Sequence, residues 1–288
     1  LKNEKETNLA LEKIRNSSFN ITKISTKRVK RNPLPPFTTS TLQQEASNKL
    51  SFGASRTMRI AQKLYEGINI GSETTGLITY MRTDGVQLST QAIDELRSEI
   101  VNLHGKEYIP QTPRIYKSKA ANAQEAHEAI RPTAISRHPE SISSYLDDEQ
   151  FKLYELIWKR TISSQMQSAE LDETSADISN KDKTIVFRAN GSQVRFPGFF
   201  IYRDRNDDKI LPNLVENENI DLEKADGEQH FTQPPPRYTD ASLIKKMEEL
   251  GIGRPSTYAS ILQVLVNRNY VEKDRGKHIP QERGRILT

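Results

Sequence analysis

Apolar and polar positions follow two different periods along the chain, and each period indicates a different kind of element. Four segments carry apolar residues at helical spacing, which predicts helices over residues 40–50, 55–66, 90–103 and 147–168. Residues 19–32 and 175–196 are instead rich in β-branched residues with a partial two-residue alternation, which predicts strands. A helical block flanked by strand segments predicts an α+β chain of more than one domain.

Proline and glycine mark the boundaries between these elements. Residues 33–36 (PLPP) and 233–236 (QPPP) interrupt regular structure. Within the second strand segment, Asn190 and Gly191 predict a hairpin turn. After the second proline cluster, two helices are predicted over residues 240–250 and 256–267, separated by a glycine-rich turn.

These boundaries predict three domains. A β domain would comprise residues 1–39 and 167–235. A helical domain of residues 40–166 would be inserted into it, and a partial helical domain would follow over residues 236–288.

The composition limits the functions that the chain can have. Its 288 residues are 34% hydrophobic and 28% charged, which favours an open architecture with much exposed surface. The absence of cysteine excludes disulfides, zinc ribbons and thiol catalysis within this chain. No apolar run approaches the roughly 18 residues that a membrane span needs, and the first residues lack the apolar stretch of a signal peptide. The net charge of +4 permits nucleic-acid binding without requiring it.

Tyr80 and Arg82 form the first candidate for chemistry. A short strand over residues 77–81 would place Ile78, Tyr80 and Arg82 on one face. A phenol has a pKa of about 10 and attacks phosphorus poorly unless its anion or the developing charge is stabilised. Arg82 supplies a permanent cation whose planar fork suits phosphate oxygens. From spacing alone, however, a half-buried tyrosine beside a surface arginine is the favoured interpretation.

Two further segments carry candidate residues. His127 falls in a predicted helical turn over residues 124–130, where an exposed histidine between acids is the simpler interpretation. Arg131 stands where a zinc protease motif would have its second histidine, so that motif is excluded. In residues 254–258 (RPSTY), either hydroxyl residue can cap a helix whose amino end attracts anions, and the tyrosine offers a stacking face. An ordinary capped helix after a glycine turn explains this segment equally well.

Four motifs, taken together, resemble those of type IA DNA topoisomerases. Residues 76–84 (GLITYMRTD) resemble the active-site tyrosine motif of that family. Residues 35–47 (PPFTTSTLQQEAS) resemble the entry to its helical domain, and residues 126–133 (AHEAIRPT) its second active-site motif. Residues 251–260 (GIGRPSTYAS) resemble its single-strand-binding motif. The four motifs occur in the family's order.

The resemblance implies an enzyme that relaxes negatively supercoiled DNA without ATP. Tyr80 would attack a DNA phosphodiester and form a 5′-phosphotyrosine link, while Arg82 holds the scissile phosphate and His127 binds it beside the tyrosine. Arg131 would support this pocket and contact DNA. The resemblance also assigns single-strand binding to four residues: Arg254, Ser256, Thr257 and Tyr258.

The resemblance further implies parts that this sequence lacks. The family binds Mg²⁺ through an Asp-x-Asp-x-Glu motif of a Toprim domain, and no such motif occurs in the chain. We therefore expect a fragment that binds no metal and does not relax supercoiled DNA alone. In the complete enzyme the β domain would be a hinged arch that moves the helical gate domain. We expect a monomeric, cytoplasmic, nucleoid-associated enzyme that binds single-stranded and negatively supercoiled DNA and no membrane.

Some alternatives remain open at this level. The family usually has serine after the motif Thr83-Asp84, whereas this chain has Gly85, so any role of that hydroxyl is lost. The helical pair near the end also fits a non-enzymatic nucleic-acid-binding protein, because helix-turn-helix proteins share its local shape. Within the family, reverse gyrase and topoisomerase III are alternatives, although Met81 favours the bacterial branch.

The first strand segment carries a cluster of cations, namely Lys23, Lys27, Arg28, Lys30 and Arg31. Such a cluster is typical of a solvated edge strand. The family's arch would nevertheless place it where DNA contact is possible.

Overall fold

The computed structural model describes residues 1–71, 73–117, 127–203 and 208–288. The chain divides into two compact units, of which the first comprises Leu1–Asn32 with Ser168–Pro234 and the second Pro33–Gln167 with Pro235–Thr288. The helical pair near the end thus belongs to the same unit as the central helices. Helices and antiparallel sheets occur together, which confirms the predicted α+β class. The division into three domains stays a prediction.

Among the described residues, the helices are α1 (Glu4–Arg15), α2 (Thr39–Leu50), α3 (Ala54–Glu66), α4 (Thr90–His104), α5 (Asp148–Ser164), α6 (Asp240–Glu249), α7 (Tyr258–Asn267) and α8 (Glu282–Ile286). The strands are β1 (Phe19–Arg31), β2 (Ile68–Asn69), β3 (Thr74–Thr75), β4 (Ala169–Asn180), β5 (Val186–Phe196), β6 (Asn219–Ile220), β7 (Val271–Asp274) and β8 (Lys277–Pro280). Short 3₁₀ helices occur at Lys106–Tyr108, Pro139–Tyr145 and Gly198–Tyr202. No helix in this part of the chain is both long and apolar enough to cross a membrane.

The first unit is built on an antiparallel sheet with the strand order β5-β4-β1-β6. β1 and β4 pair along almost their whole length, whereas β6 pairs with only Phe19 and Asn20 of β1. Most of β1 is therefore an edge strand. The apolar pattern does not predict α1, which depends instead on an Asn3 cap and on charges that complement the helix dipole, acidic in the first turn and basic in the last.

The predicted hairpin turn at Asn190 and Gly191 is wrong, because both residues lie in the middle of β5. The turn comes earlier, between β4 and β5, where Lys183 has a positive φ of 57° and Asn180 accepts a bond from the Ile185 amide. Gly191 serves a close approach instead, since an added Cβ would lie 2.6 Å from the carbonyl oxygen of Lys209.

The cations of β1 face carboxylates on the neighbouring strand β4. Arg28 pairs with Asp172 at 2.9 Å and Lys30 with Glu170 at 3.0 Å. Arg31 pairs with Glu173 at 2.5 Å. From the other side of β4, Arg188 and Arg195 of β5 bond to Asp177 and Asp172 respectively. The cationic face of β1 is thus largely matched by acidic residues within the sheet.

The second unit has a helical core whose boundaries follow local caps. Thr38 and Asp147 form capping boxes at the starts of α2 and α5, and Ser89 caps α4. α5 is shorter than predicted and ends at Ser164 rather than residue 168, because the chain turns there and continues into β4. Leu42, Leu64, Leu153 and Ile157 from α2, α3 and α5 are fully buried.

A second cluster of buried residues joins the helical pair α6–α7 to the start of α3. It consists of Ala54, Ile244, Met247, Tyr258 and Leu262. α6 also packs along α2, and the Ser40 hydroxyl donates to Glu248 at 2.8 Å. The β7–β8 hairpin follows α7. This packing attaches residues 251–260 to α3, the helix that carries Tyr65.

Candidate active site

The segment that carries Tyr80 is extended and is fixed by hydrogen bonds to the segment that follows His127. The Thr79 amide donates to the carbonyl of Arg131 at 2.9 Å, and the Thr133 amide donates to that of Leu77 at 3.0 Å. The Thr79 hydroxyl donates to the Ala129 carbonyl at 2.7 Å. These bonds form an isolated bridge rather than the predicted strand over residues 77–81, because the pairing does not continue.

The side chains of this segment do not alternate as the strand prediction required. Ile78 is buried, whereas Tyr80 is 38% exposed and Arg82 is exposed. Met81, between them, is also buried. The prediction that Ile78, Tyr80 and Arg82 share one face is therefore wrong for Ile78, which is buried, whereas Tyr80 and Arg82 are both exposed; the chain bends at residues 79, 81 and 82. The bends leave the side chains of Tyr80 and Arg82 exposed, while their neighbours Ile78 and Met81 are buried.

Two aromatic side chains flank the ring of Tyr80. The Tyr65 ring, at the end of α3, meets it edge-on with a centroid distance of 5.4 Å. The centroid of the His127 ring lies 5.9 Å from that of Tyr80, with the rings tilted by 50°. The structure thus brings His127 to Tyr80, although residues 127–130 are not helical and residues 124–126 of the predicted turn lie outside the described residues. Tyr65 was not anticipated from the sequence, because an isolated aromatic residue on a helix resembles a core position.

Buried threonines fix the backbone on both sides of Arg82. The Thr39 hydroxyl, in the first turn of α2, donates to the Met81 carbonyl at 2.7 Å and accepts from the Thr83 amide at 2.8 Å. The Thr39 amide donates to the Thr83 carbonyl at 2.9 Å. Thr39 and Thr83 are both buried. The backbone at Arg82 is therefore held in place, while its guanidinium is left to reach outward.

Arg82 lines an open cleft of about 390 Å³ together with residues of the fourth motif. Ser256 and the first turns of α7 form the opposite wall. The remaining lining residues are Ser55, Met58, Pro255, Ala259, Ser260, Gln263 and Val264. One guanidinium, several hydroxyls and the amino end of a helix thus face the same space, which is a combination that suits an anion.

The residues before α7 are arranged differently from the predicted cap. Thr257 occupies the cap position, but its side chain makes no capping bond. Its hydroxyl oxygen instead accepts from the Arg254 amide at 2.8 Å, which closes the turn. Ser256 is exposed and does not cap the helix either, so the prediction of a side-chain cap is wrong. Arg254 is exposed, and one of its guanidinium nitrogens donates to the Gly253 carbonyl at 2.9 Å.

Tyr258 does not offer the stacking face that was predicted, because its side chain is only 6% exposed. It packs in the cluster of α3, α6 and α7. Burial raises the pKa of Tyr258, and the charges of Glu248 and Asp84 add to this shift. The spacing to Leu262, four residues on, is the signal that identifies it as a core residue.

Arg131 is engaged in an ion pair inside the protein. Its guanidinium donates to the Glu128 carboxylate at 2.8 Å, and it is 16% exposed. The other oxygen of that carboxylate accepts from the Ser89 amide at the start of α4. Burial alone would raise the pKa of Glu128, but the bond from Ser89 and the charge of Arg131 outweigh it and lower the pKa. Arg131 supports the segment after His127, and a contact with DNA stays a prediction.

Comparisons with known proteins identify the family of this chain. A family model described as DNA topoisomerase matches residues 1–288. DNA topoisomerase 1 of Rickettsia bellii is 53% identical over 293 residues, a match that covers 99% of this chain and 37% of the relative. DNA topoisomerase 1 of Xylella fastidiosa is 50% identical over 281 residues, covering 94% of this chain and 34% of the relative. The chain thus spans about a third of the length of these curated relatives.

A solved structure shows the same relationship. The full-length topoisomerase I from Thermotoga maritima superposes with a TM-score of 0.85 at 39% sequence identity, covering 97% of this chain and 46% of that one. Because the family model matches the whole chain and about half of the residues are identical to those of the relatives, this chain belongs to the DNA topoisomerase family, in its bacterial type IA branch.

Proposed function

We propose that Tyr80 is the nucleophile with which a bacterial type IA topoisomerase cleaves one DNA strand. The observation that carries this proposal is an exposed tyrosine on a buried, hydrogen-bonded support, with the His127 ring 5.9 Å away. Tyr154, in the same unit, shows the contrast: it is fully buried, and its hydroxyl donates to the Arg137 carbonyl at 2.7 Å. Tyr154 cannot reach a substrate, whereas Tyr80 can.

In the proposed step, the phenolic oxygen of Tyr80 forms a bond to phosphorus while the bond from phosphorus to the 3′ oxygen breaks. The proton leaves the phenol, and the departing 3′ oxygen takes up a proton to become a hydroxyl group. Cleavage thus exchanges one phosphate ester for another. The 3′ hydroxyl can therefore attack the phosphotyrosine ester and religate the strand without ATP. His127 would donate a hydrogen bond to a phosphate oxygen as negative charge develops.

The cleft beside α7 would bind the DNA strand next to the cleavage point. Arg82 would contact a phosphate, and the hydroxyl of Ser256 would bond to the strand from the opposite wall. Arg254 and Thr257 would contact the strand at the turn before α7. The buried Tyr258 would instead support the wall of the cleft from within the protein. We expect single-stranded DNA to bind this surface, because a cation and hydroxyl groups can contact a sugar-phosphate backbone whatever its base sequence.

The complete protein would relax negatively supercoiled DNA as a monomer in the cytoplasm, associated with the nucleoid. Residues 1–39 and 167–235 would form the hinged arch, residues 40–166 the gate, and residues 236–288 part of the strand-binding domain. Magnesium would be a cofactor of the complete enzyme. Among the described residues no group of three or more acidic, histidine or cysteine side chains could hold a metal ion. The carboxylates that would hold magnesium are expected in the Asp-x-Asp-x-Glu motif, which this sequence does not contain. We therefore expect this chain alone not to relax DNA.

A covalent-adduct assay tests the role of Tyr80. The complete protein is incubated with a labelled single-stranded oligonucleotide and quenched with denaturant, and the products are separated by size. We expect a labelled protein band that is absent in Tyr80→Phe. Tyr65→Phe is the matched control, because it removes a hydroxyl from the neighbouring ring and should leave the band unchanged. An adduct that persists in Tyr80→Phe would contradict the proposal.

The same assay distinguishes the rival function. The helical pair α6–α7 and its exposed Arg254 would also suit a non-enzymatic single-strand-binding protein. Such a protein would shift the oligonucleotide in a native gel, yet form no adduct after denaturation in either the wild type or Tyr80→Phe. A covalent band in the wild type alone excludes it.

A further inference from the structure

We infer that Gly85 is a positioning residue for His127, because the missing side chain lets the backbone at His127 approach the Tyr80 segment. This inference rests on the proposed function of Tyr80. Gly85 follows the active-site motif directly and is buried. It is not part of any hydrogen bond to Tyr80 or His127 side chains, and it stands where the family resemblance leads one to expect serine.

The approach of the two segments leaves no room for a Cβ atom. A Cβ on Gly85 would lie 2.2 Å from the carbonyl oxygen of His127 and 3.3 Å from its carbonyl carbon. It would also lie 3.2 Å from the hydroxyl of Thr83. Because real Cβ contacts shorter than 3.0 Å essentially do not occur, the backbone on one side must move. The obstacle is a peptide carbonyl, which cannot rotate aside as a long side chain can.

Hydrogen bonds hold the backbone on both sides of this contact. The Gly85 amide donates to the Thr83 hydroxyl at 2.9 Å, and Thr83 itself is bonded to Thr39 in α2. On the other side, the Ala129 amide donates to Gln87 at 2.9 Å, two residues beyond His127. Strain introduced at residue 85 would therefore shift the His127 backbone and the Tyr80 segment relative to each other.

The displacement would act on the candidate catalytic pair. To restore an ordinary contact of 3.4 Å from 2.2 Å, the His127 carbonyl and residue 85 must separate by about 1.2 Å. The ring of His127 lies 5.9 Å from that of Tyr80, so its distance from a phosphate held at Tyr80 would change by a similar amount. A misplacement of about 1 Å can reduce a rate about 100-fold. Gly85, which has no side chain, would thus set the spacing between Tyr80 and His127 through the backbone alone.

A double-mutant cycle in the complete protein tests this inference. We expect Gly85→Ala and Gly85→Ser each to slow single-turnover cleavage of an oligonucleotide about 10- to 100-fold. In a His127→Ala background, the same substitutions should change the rate less than about threefold, because the side chain that they misplace is already absent. Gly53→Ala is the matched control, since its added Cβ would meet no backbone atom and only the Asp240 side-chain oxygen, at 3.2 Å, which lies away from Tyr80 and His127 in the α3–α6 contact. It should leave cleavage unchanged.

Each outcome supports or contradicts the inference. Wild-type cleavage by both Gly85 variants would overturn it, and so would an equal loss in the two backgrounds, which would indicate a general structural role. If His127→Ala cleaves too slowly to measure, a crystal structure of Gly85→Ala decides, because the distance between the Tyr80 and His127 rings must differ from 5.9 Å by about 1 Å. The adduct lost in Tyr80→Phe is independent of these results, so failure of this inference and failure of the proposed function remain distinguishable.

Discussion

Asp240 joins three elements of the second unit through one buried carboxylate, and we predict that Asp240→Asn destabilises this unit strongly. The side chain is 6% exposed, and its oxygens accept from His278 Nε2 at 2.8 Å and Lys273 Nζ at 2.7 Å. The Ala54 amide at the start of α3 donates to it at 3.2 Å. An asparagine retains one acceptor oxygen and must direct an NH₂ group at one of these donors.

The magnitude follows from the burial of the network. Removing one partner of a buried charge pair costs about 3–5 kcal/mol, because the remaining charge is left without compensation. The Lys273 side chain is 38% exposed and can be solvated again, so we expect the lower end of that range, about 3 kcal/mol. For a unit of this size, about 2–4 °C accompany each kcal/mol, so the Tm should fall by about 6–12 °C.

The dependence on pH provides a second test. Burial alone would raise the pKa of Asp240, but the bonds from His278 and Lys273 outweigh burial and hold the pKa well below its ordinary range. Since the folded pKa lies below the unfolded value of about 3.9, the stabilisation is complete above that pH and is lost as the pH falls towards the folded pKa. Asparagine does not titrate, so the difference between the two proteins should shrink below about pH 4.

Denaturant unfolding followed by circular dichroism measures both effects. Glu249→Gln on the same helix is the control, because Glu249 is half-exposed and its 3.5 Å contact with Lys246 is a surface pair worth less than about 1 kcal/mol. A loss of less than about 1 kcal/mol in Asp240→Asn, or a difference that does not change between pH 7 and pH 3, would refute the reasoning.

Three further predictions concern single positions. Arg28→Ala should raise the pKa of Asp172, which the bonds from the arginines hold at about 2, towards its ordinary value near 3.9, and an NMR titration of the carboxyl group measures this. Gly191→Ala should destabilise the sheet by about 1–3 kcal/mol in urea unfolding, because its Cβ would meet a peptide oxygen at 2.6 Å; unchanged stability would contradict the close approach. Tyr258→Ala should cost about 3–5 kcal/mol of stability, whereas a purely base-stacking residue would change DNA affinity at constant stability.

Sequence reasoning predicted the helices of the second unit well, because their boundaries depend on local chemistry. α2, α4 and α5 begin at threonine, serine and aspartate caps within a residue or two of the predicted starts. Apolar spacing then identifies the buried face of each helix. These signals lie within a few residues of one another, so a single sequence contains them.

Contacts between distant segments could not be predicted in this way. The pair Asn190-Gly191 is typical of a turn, yet Gly191 lies in a strand because the backbone at Lys209, outside the β4–β5 hairpin, pairs beside it. Tyr258 lies in a segment that suits DNA binding, yet burial against α3 and α6 determines its environment. In both cases a partner remote in sequence overrides the local pattern.

In the candidate site, too, contacts between residues remote in sequence could not be predicted from the local pattern. The pairing of Tyr80 with His127 spans nearly fifty residues and was inferred only from the resemblance of their motifs. Neither periodicity nor spacing indicates that Thr39 fixes the backbone at Arg82, or that Tyr65 meets the ring of Tyr80. Loop conformations that expose a polar residue on a buried support leave no regular pattern in a sequence.

The paired charges of β1 and β4 have a consequence for how this protein would respond to salt. DNA binding weakens with salt in proportion to the phosphate charges that a protein neutralises, because each such contact releases condensed counterions. Arg28, Lys30 and Arg31 already have carboxylate partners, so the anions of β4 act as their internal counterions. A phosphate that approached them would have to compete with these carboxylates. The salt dependence of binding should therefore report Arg82, the cation of the cleft, far more than Arg28, Lys30 and Arg31 of the most basic strand.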